Sequence, residues 1–253
     1  MVWQVLESPS FSQRDLSSVR TVSYGGAPAA PELVRRIKEA FPAASPGNGY
    51  GLTETSSVTT FNSGADYVAK PDTVGVPVPV CEVKVVDPDG TPVPPGEVGE
   101  LWIKGPNVVK GYWNKAEATA ESFTDGWLHS GDLARIDDEG FIAIVDRAKD
   151  MVIRGGENVY CVEVESVLYD HPEVMDAAVV GLPHKVLGEE VAAVVQVRED
   201  AGAEVTAEAL QAHVASHLAA FKVPVRIDIR HHPLPRNANG KILKKQLKEE
   251  MTA

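Results

Sequence analysis

Gly49-Tyr50-Gly51-Leu52-Thr53-Glu54-Thr55 sets two glycines around an aromatic ring and follows them at once with a hydroxyl and a carboxylate. Each residue type suits a different part of a nucleotide. Glycine lets backbone approach a flat ring or a phosphate, and Tyr50 can stack on a base. Thr53 can bond a phosphoryl oxygen, and Glu54 can hold a hard cation such as Mg²⁺. Taken alone, the stretch reads equally well as a glycine-rich turn capped by Thr and Glu at a helix start.

Upstream of it, residues 19–24 read as a strand, Gly25-Gly26-Ala27-Pro28 as a turn, and residues 31–40 as a helix with Leu33, Ile37 and Phe41 at helical spacing. A further extended segment leads into Gly49. This strand–turn–helix–strand order is that of a parallel sheet, whose strands need helices on both faces. Too few strands are present to complete such a sheet.

Downstream, from 73 to 146, the pattern turns to short strands with strong punctuation: 83–86, the turn Pro88-Asp89-Gly90, 99–104 and 141–145. A small antiparallel unit is expected there. After Arg147-Ala148-Lys149-Asp150 the pattern is mixed. It predicts a helix at 162–170, strands at 177–180 and 191–198, a helix at 206–218, a strand at 225–229 and a closing Lys-rich helix. The expected organisation is therefore 1–72, an incomplete βα part; 73–147, an antiparallel β subdomain; and 148–253, an α+β domain of ordinary size. No internal repeat or low-complexity tract interrupts it.

Composition narrows the function. The 253 residues are 43% hydrophobic, enough for a buried core, and carry a formal charge of −12. That balance argues against a nucleic-acid surface, which needs clustered cations in excess. Arg226, Arg230, Arg236, Lys241, Lys244, Lys245 and Lys248 gather late in the chain and suit either a small polyanion or a solvated helix face. Cys81 and Cys161 stand in neither disulfide nor metal spacing, which fits a reducing cytoplasm. The residues after Met1 lack a basic stretch followed by an apolar run, and no segment reaches spanning length, so neither secretion nor membrane insertion is expected.

Three further segments carry chemistry. In His129-Ser130-Gly131-Asp132-Leu133 a carboxylate follows what reads as a Gly turn at the edge of the β region. Asp132 can accept both hydroxyls of a ribose, or simply close an Asx turn. His129, beside Trp127, reads as a packed loop residue rather than an acid or base. The stretch Asp146-Arg147-Ala148-Lys149-Asp150-Met151-Val152-Ile153-Arg154-Gly155-Gly156-Glu157-Asn158-Val159-Tyr160 has charged residues before a glycine pair, the pattern of a hinge and flexible loop or of an ordinary linker and hairpin. Pro235-Arg236-Asn237-Ala238-Asn239-Gly240-Lys241 puts an ammonium at a turn tip, where it is either solvated or able to reach an oxyanion.

In this order and at these intervals, the four segments resemble the adenylate-forming superfamily of acyl-CoA synthetases, firefly-type luciferases and peptide-synthetase adenylation domains, over essentially the whole chain. The resemblance implies a fold of α/β and α+β parts: the remnant of a large N-terminal domain, with a parallel βα unit and a small distorted β-barrel, then a separate small α+β C-terminal domain. It also implies ATP-dependent activation of a carboxylic acid to an acyl adenylate, followed by thioester formation with coenzyme A.

By resemblance Gly25, Gly26, Ala27, Asn48 and Tyr50 shape the adenine site, Thr53 contacts phosphate and Glu54 binds Mg²⁺. Asp132 and Arg147 hold the ribose, and Lys241 is the catalytic lysine. Lys149 is the hinge, and Gly155 and Gly156 flank the pantetheine channel. The run Gly155 to Tyr160 looks more like fatty or aryl acid:CoA ligases than peptide-synthetase modules, and Cys161 departs from a proline often found there.

The family's Ser/Thr/Gly-rich phosphate loop ending in Pro-Lys does not occur in the 253 residues. The expectation is a truncated chain that is inactive alone and self-associates through its incomplete sheet. Delivery to a carrier-protein thiol, or a non-catalytic nucleotide-binding role, are the alternative readings.

Overall fold

The computed structural model describes residues 2–6, 8–26, 31–198, 202, 205–237 and 240–252, which form two compact units, Met1–Ile144 and Val145–Ala253. The first begins with a short helix α1 (Val2–Leu6), strand β1 (Thr21–Gly25), helix α2 (Pro31–Ala40) and strand β2 (Ser45–Tyr50). On α2, Val34 and Ile37 recur on one face, with Phe41 just beyond its end, and all three are buried. Ile37 anchors a cluster with Phe41 and Ala44, onto which Leu6, Phe11, Val22 and Tyr24 pack. The expected parallel pair is present: β1 runs beside β2 with Gly25 opposite Gly49.

Residues 60–77 add β3 (Thr60–Ser63), α3 (Gly64–Ala69) and β4 (Val76–Pro77), which the short polar run Thr60-Phe61-Asn62-Ser63 does not announce. Both new strands are antiparallel, giving a sheet in the order β1-β2-β3-β4.

A second sheet follows, built from β5 (Glu82–Val86), β6 (Gly99–Lys104), helix α4 (Ala116–Ser122), β7 (Phe123–Thr124), β8 (Trp127–Ile136) and β9 (Ile142–Arg147). Its order is β5-β6-β8-β7, with β9 also on β8. Alternate residues Val85, Leu101, Ile103 and Ala134 point to one core, and Tyr50, Leu52 and Val74 pack against it. Backbone bonds from Val74 N to Ile142 O and from Ile142 N to Gly75 O, 2.8 and 2.9 Å, fasten the two sheets together. One expectation is corrected here. His129 to Asp132 do not make a turn at the sheet's edge but lie inside the ten-residue strand β8.

The second unit contains β10 (Val152–Arg154), β11 (Glu157–Val159), α5 (Cys161–Tyr169), β12 (Val174–His184), β13 (Gly188–Val197), α6 (Ala207–Ala215), β14 (Arg226–Arg230) and α7 (Lys244–Thr252). Val191 to Val195 form a continuous apolar run because β13 is covered on both faces. Val191, Ala193 and Val195 face a core with α5 and α6, whereas Ala192 and Val194 face Leu247 and Met251 of α7. β13 pairs antiparallel with β12 and parallel with β14.

Candidate functional site

In the first unit the site is organised by a bulge. Glu100 of β6 pairs with Leu133 and Trp102 with His129, so Ser130, Gly131 and Asp132 together oppose only Leu101. Gly131 adopts φ +70°, a conformation that favours glycine, and its N–H donates to Glu100 Oε1 at 2.9 Å. Glu100 Oε2 accepts the Trp102 indole N–H, also at 2.9 Å, so a single carboxylate fastens the bulge to its neighbour strand. The bulge re-aims Asp132, which is only 3% exposed, and Tyr50 Oη donates to its Oδ2 at 2.6 Å.

Past Tyr50 the chain enters a single 3₁₀ turn, Thr53–Thr55. Buried Thr55 locks it: Oγ1 accepts from Leu52 N at 2.9 Å, and its hydroxyl lies 3.0 and 3.1 Å from the carbonyls of Leu52 and Ser57. Thr53 is left exposed and Glu54 half-buried. Glu54 Oε1 accepts the hydroxyl of Tyr112 at 2.8 Å. Among the described residues no three His, Cys, Asp or Glu side chains group as a metal cage. A lone half-exposed carboxylate suits Mg²⁺, which takes one or two protein carboxylates together with substrate phosphates.

Gly25 and Gly26 lie at the carboxyl end of β1, beside the end of β2, where ligands of open α/β sheets bind. Ala27 lies outside the described residues. Asn48 sits in register between Tyr24 and Asn62 and is 5% exposed. Its side chain hydrogen-bonds Tyr67 of α3, whose hydroxyl also meets that of Tyr24. Burial is the main reason both tyrosine hydroxyls are pushed to higher pKa.

In the second unit, Arg147 ends β9 and its N–H donates to Asp146 Oδ1 at 2.7 Å. Asp146 Oδ2 accepts the N–H of Cys161 at the start of α5, and Cys161 Sγ donates to Asp150 O at 2.9 Å. Only Ala148 and Lys149, between these two anchors, are exposed. Burial pushes the Asp146 carboxyl up to about 6. Nearby Lys244 pairs with Glu165 at 2.6 Å; burial disfavours its charge, yet Glu165 and its neighbours outweigh that and hold it up at about 12.

Gly155-Gly156 is the two-residue turn between β10 and β11, and Gly155 N donates to Leu187 O at 2.8 Å. Lys241 is exposed on a stapled hairpin. Asn237 N donates to Lys241 O at 2.9 Å, Lys241 N to Asn237 Oδ1 at 3.0 Å, and Arg236 bonds both Gly240 O and Asp176. Sequence reasoning missed Asn107 and Tyr112; the glycines Gly105 and Gly111 beside them were the available signal.

The sequence pattern of the AMP-binding enzyme family matches residues 1–113, and that of the AMP-binding enzyme C-terminal domain matches residues 163–241. The two together take in about three quarters of the chain. The chain belongs to the AMP-binding enzyme family. Among curated members, this AMP-binding enzyme chain is 41% identical over 248 residues to a feruloyl-CoA synthase of Amycolatopsis sp, covering 98% of this chain and 50% of that protein. It is likewise 41% identical over 251 residues to a long-chain-fatty-acid–CoA ligase of Bacillus subtilis, covering 98% and 44%. A solved structure of o-succinylbenzoate CoA synthetase from Bacillus subtilis, in complex with ATP and magnesium ion, superposes with a TM-score of 0.85 at 37% identity, over 98% of this chain and 49% of that one. The chain spans about half the length of the curated relatives it matches. No helix among the described residues is long and apolar enough to cross a membrane.

Proposed function

We propose that this chain supplies the nucleotide-binding turn, the ribose-binding carboxylate and the catalytic lysine of an ATP-dependent acid:CoA ligase acting on a fatty or aromatic carboxylic acid in the cytoplasm. The observation that carries the reading is the buried Asp132 carboxylate, re-aimed by the β8 bulge and bonded by Tyr50 at the start of the turn that bears Thr53 and Glu54. A buried carboxylate with a fixed orientation suits the paired hydroxyls of a ribose.

In this reading Gly25, Gly26, Ala27 and the end of β2 around Asn48 form the wall of the adenine site, with the ring of Tyr50 as its platform. Asp132 and Arg147 hold the ribose, Thr53 donates to a phosphoryl oxygen, and Glu54 holds Mg²⁺, which when bound neutralises phosphate charge. Lys241 steadies the charge that builds as the acid oxygen attacks the α-phosphorus and pyrophosphate leaves. Lys149 is the pivot that exchanges Lys241 for Gly155 and Gly156, beside which the thiol of coenzyme A then displaces AMP.

The test uses the protein as the gene encodes it: acid-dependent pyrophosphate release should fall at least a hundredfold on Lys241→Ala. Thioester formation from synthetic acyl adenylate should persist in that variant. Equal loss of both steps would overturn the assignment of Lys241. The 253 residues expressed by themselves should release no pyrophosphate, since they lack a loop to hold the β- and γ-phosphates; release above the Lys241→Ala control refutes that. Tested the same way, they should self-associate through β1, which among the described residues pairs only with β2. A single monomeric species in sedimentation would exclude it.

A further inference from the structure

We propose that Tyr112 is the positioning residue for Glu54, and that the loop from Asn107 to Tyr112 is the frame setting the geometry of the metal-binding turn. The proposal rests on the reading of Glu54 as the Mg²⁺ ligand and adds the group that orients it. Tyr112 Oη donates to Glu54 Oε1 at 2.8 Å, and among the described residues Oε2 has no hydrogen-bond partner. One oxygen is thus fixed and the other remains for a cation, which suits single-oxygen ligation of Mg²⁺.

Three more bonds join the same two segments. Val109 N donates to Glu54 O at 2.8 Å, Asn107 Nδ2 to Thr55 O at 3.1 Å, and Ser56 Oγ to Asn107 O at 2.8 Å. The first two hold the turn's main chain and the third the Ser56 side chain just past it, whereas the Tyr112 hydroxyl holds the carboxylate.

Tyr112 is itself fixed from behind. Its ring meets Phe123 edge-on with centroids 6.1 Å apart, and its N–H donates to Thr119 Oγ1 at 2.9 Å. Gly111 permits that approach: a Cβ there would stand 2.5 Å from Thr119 Cγ2, and its φ is +147°. The Tyr112 ring is 36% exposed, so a hydrogen bond from it adds little to folding stability. Its consequence is orientation.

The experiment measures Mn²⁺ binding in the presence of ATP by electron paramagnetic resonance, using the protein as the gene encodes it. Tyr112→Phe keeps the ring on Phe123 and should raise half-saturation by at least about 10-fold, the loss of one hydrogen bond to a charged group. Metal-free AMP binding should be unchanged, and adenylation should recover at high Mg²⁺. A Mn²⁺ titration matching the wild type, while Glu54→Gln weakens it, overturns the role of Tyr112 and leaves Glu54 in place. Unchanged Mn²⁺ binding in Glu54→Gln removes the metal reading itself. Equal weakening of Mn²⁺ and metal-free AMP binding in Tyr112→Phe also overturns the proposal, as it marks general loosening of the site.

Discussion

Tyr50 and Asp132, 82 residues apart in sequence, are joined by a 2.6 Å hydrogen bond from the phenol to a buried carboxylate oxygen. This bond ties the turn that follows Tyr50 to the bulged strand. Tyr50→Phe keeps an aromatic platform but leaves Asp132 short of a donor. AMP affinity should fall by about 1–2 kcal/mol, roughly 5- to 30-fold. Calorimetry checks it, and an unaltered affinity would show that the bond does not organise the site.

Glu100 is expected to matter for the same reason, one layer further out. Glu100→Ala removes the acceptor of both Gly131 N–H and the Trp102 indole. Amide exchange at Gly131 should accelerate by about one to two orders of magnitude, with a parallel loss of AMP binding. Fast exchange with full AMP affinity would separate the bulge from function.

Asp146 gives a pH signature. Its folded pKa of about 6 lies above the ordinary 3.8, so the folded state holds the proton more tightly than the unfolded chain. Its contribution is favourable below pH 4 and is lost as pH rises through 6, by up to roughly 3 kcal/mol. Asp146→Asn cannot titrate. Urea unfolding across this range should show the wild type losing ground to the variant between pH 4 and 7; a constant difference would contradict the burial argument.

Arg236 should affect one half-reaction more than the other. It links Asp176 of β12 to the carbonyl of Gly240, immediately before Lys241. Arg236→Ala frees the hairpin tip, so adenylation should slow about tenfold while thioester formation from preformed acyl adenylate holds. A uniform loss in both steps would indicate unfolding of the hairpin rather than misplacement of Lys241.

How far the sequence carried these conclusions depended on the kind of signal. The parallel β1–β2 pair, α2 and the presence of strand β13 were legible, because apolar period and glycine punctuation report burial directly, whereas the covering of β13 on both faces came from the structure. The path of β8 was not, since Gly131 reads as a turn when its cross-strand partner Glu100 is unknown. β3 and β4 were hidden because Thr60 and Asn62 are buried polar residues: Asn62 Nδ2 donates to Thr73 Oγ1 at 2.8 Å, a partner no local pattern reveals. The same limit applied to the candidate site. Glu54 and Asp132 became candidates through the resemblance of the whole motif set, whereas their supports, Tyr112 and Glu100, act through contacts 58 and 31 residues away.

The two anchors on Asp146 and Asp150 have a mechanical consequence. Both ends are tethered to Cys161 at the start of α5, and Arg147 O accepts from Asp150 N and from Met151 N at 3.0 Å, so Ala148 and Lys149 form the middle of a closed, hydrogen-bonded turn. Turning about Lys149 therefore requires the bonds to Arg147 O to open first, which sets a threshold on any such motion. Glycine at either position would lower that threshold by widening the backbone choices open to the turn.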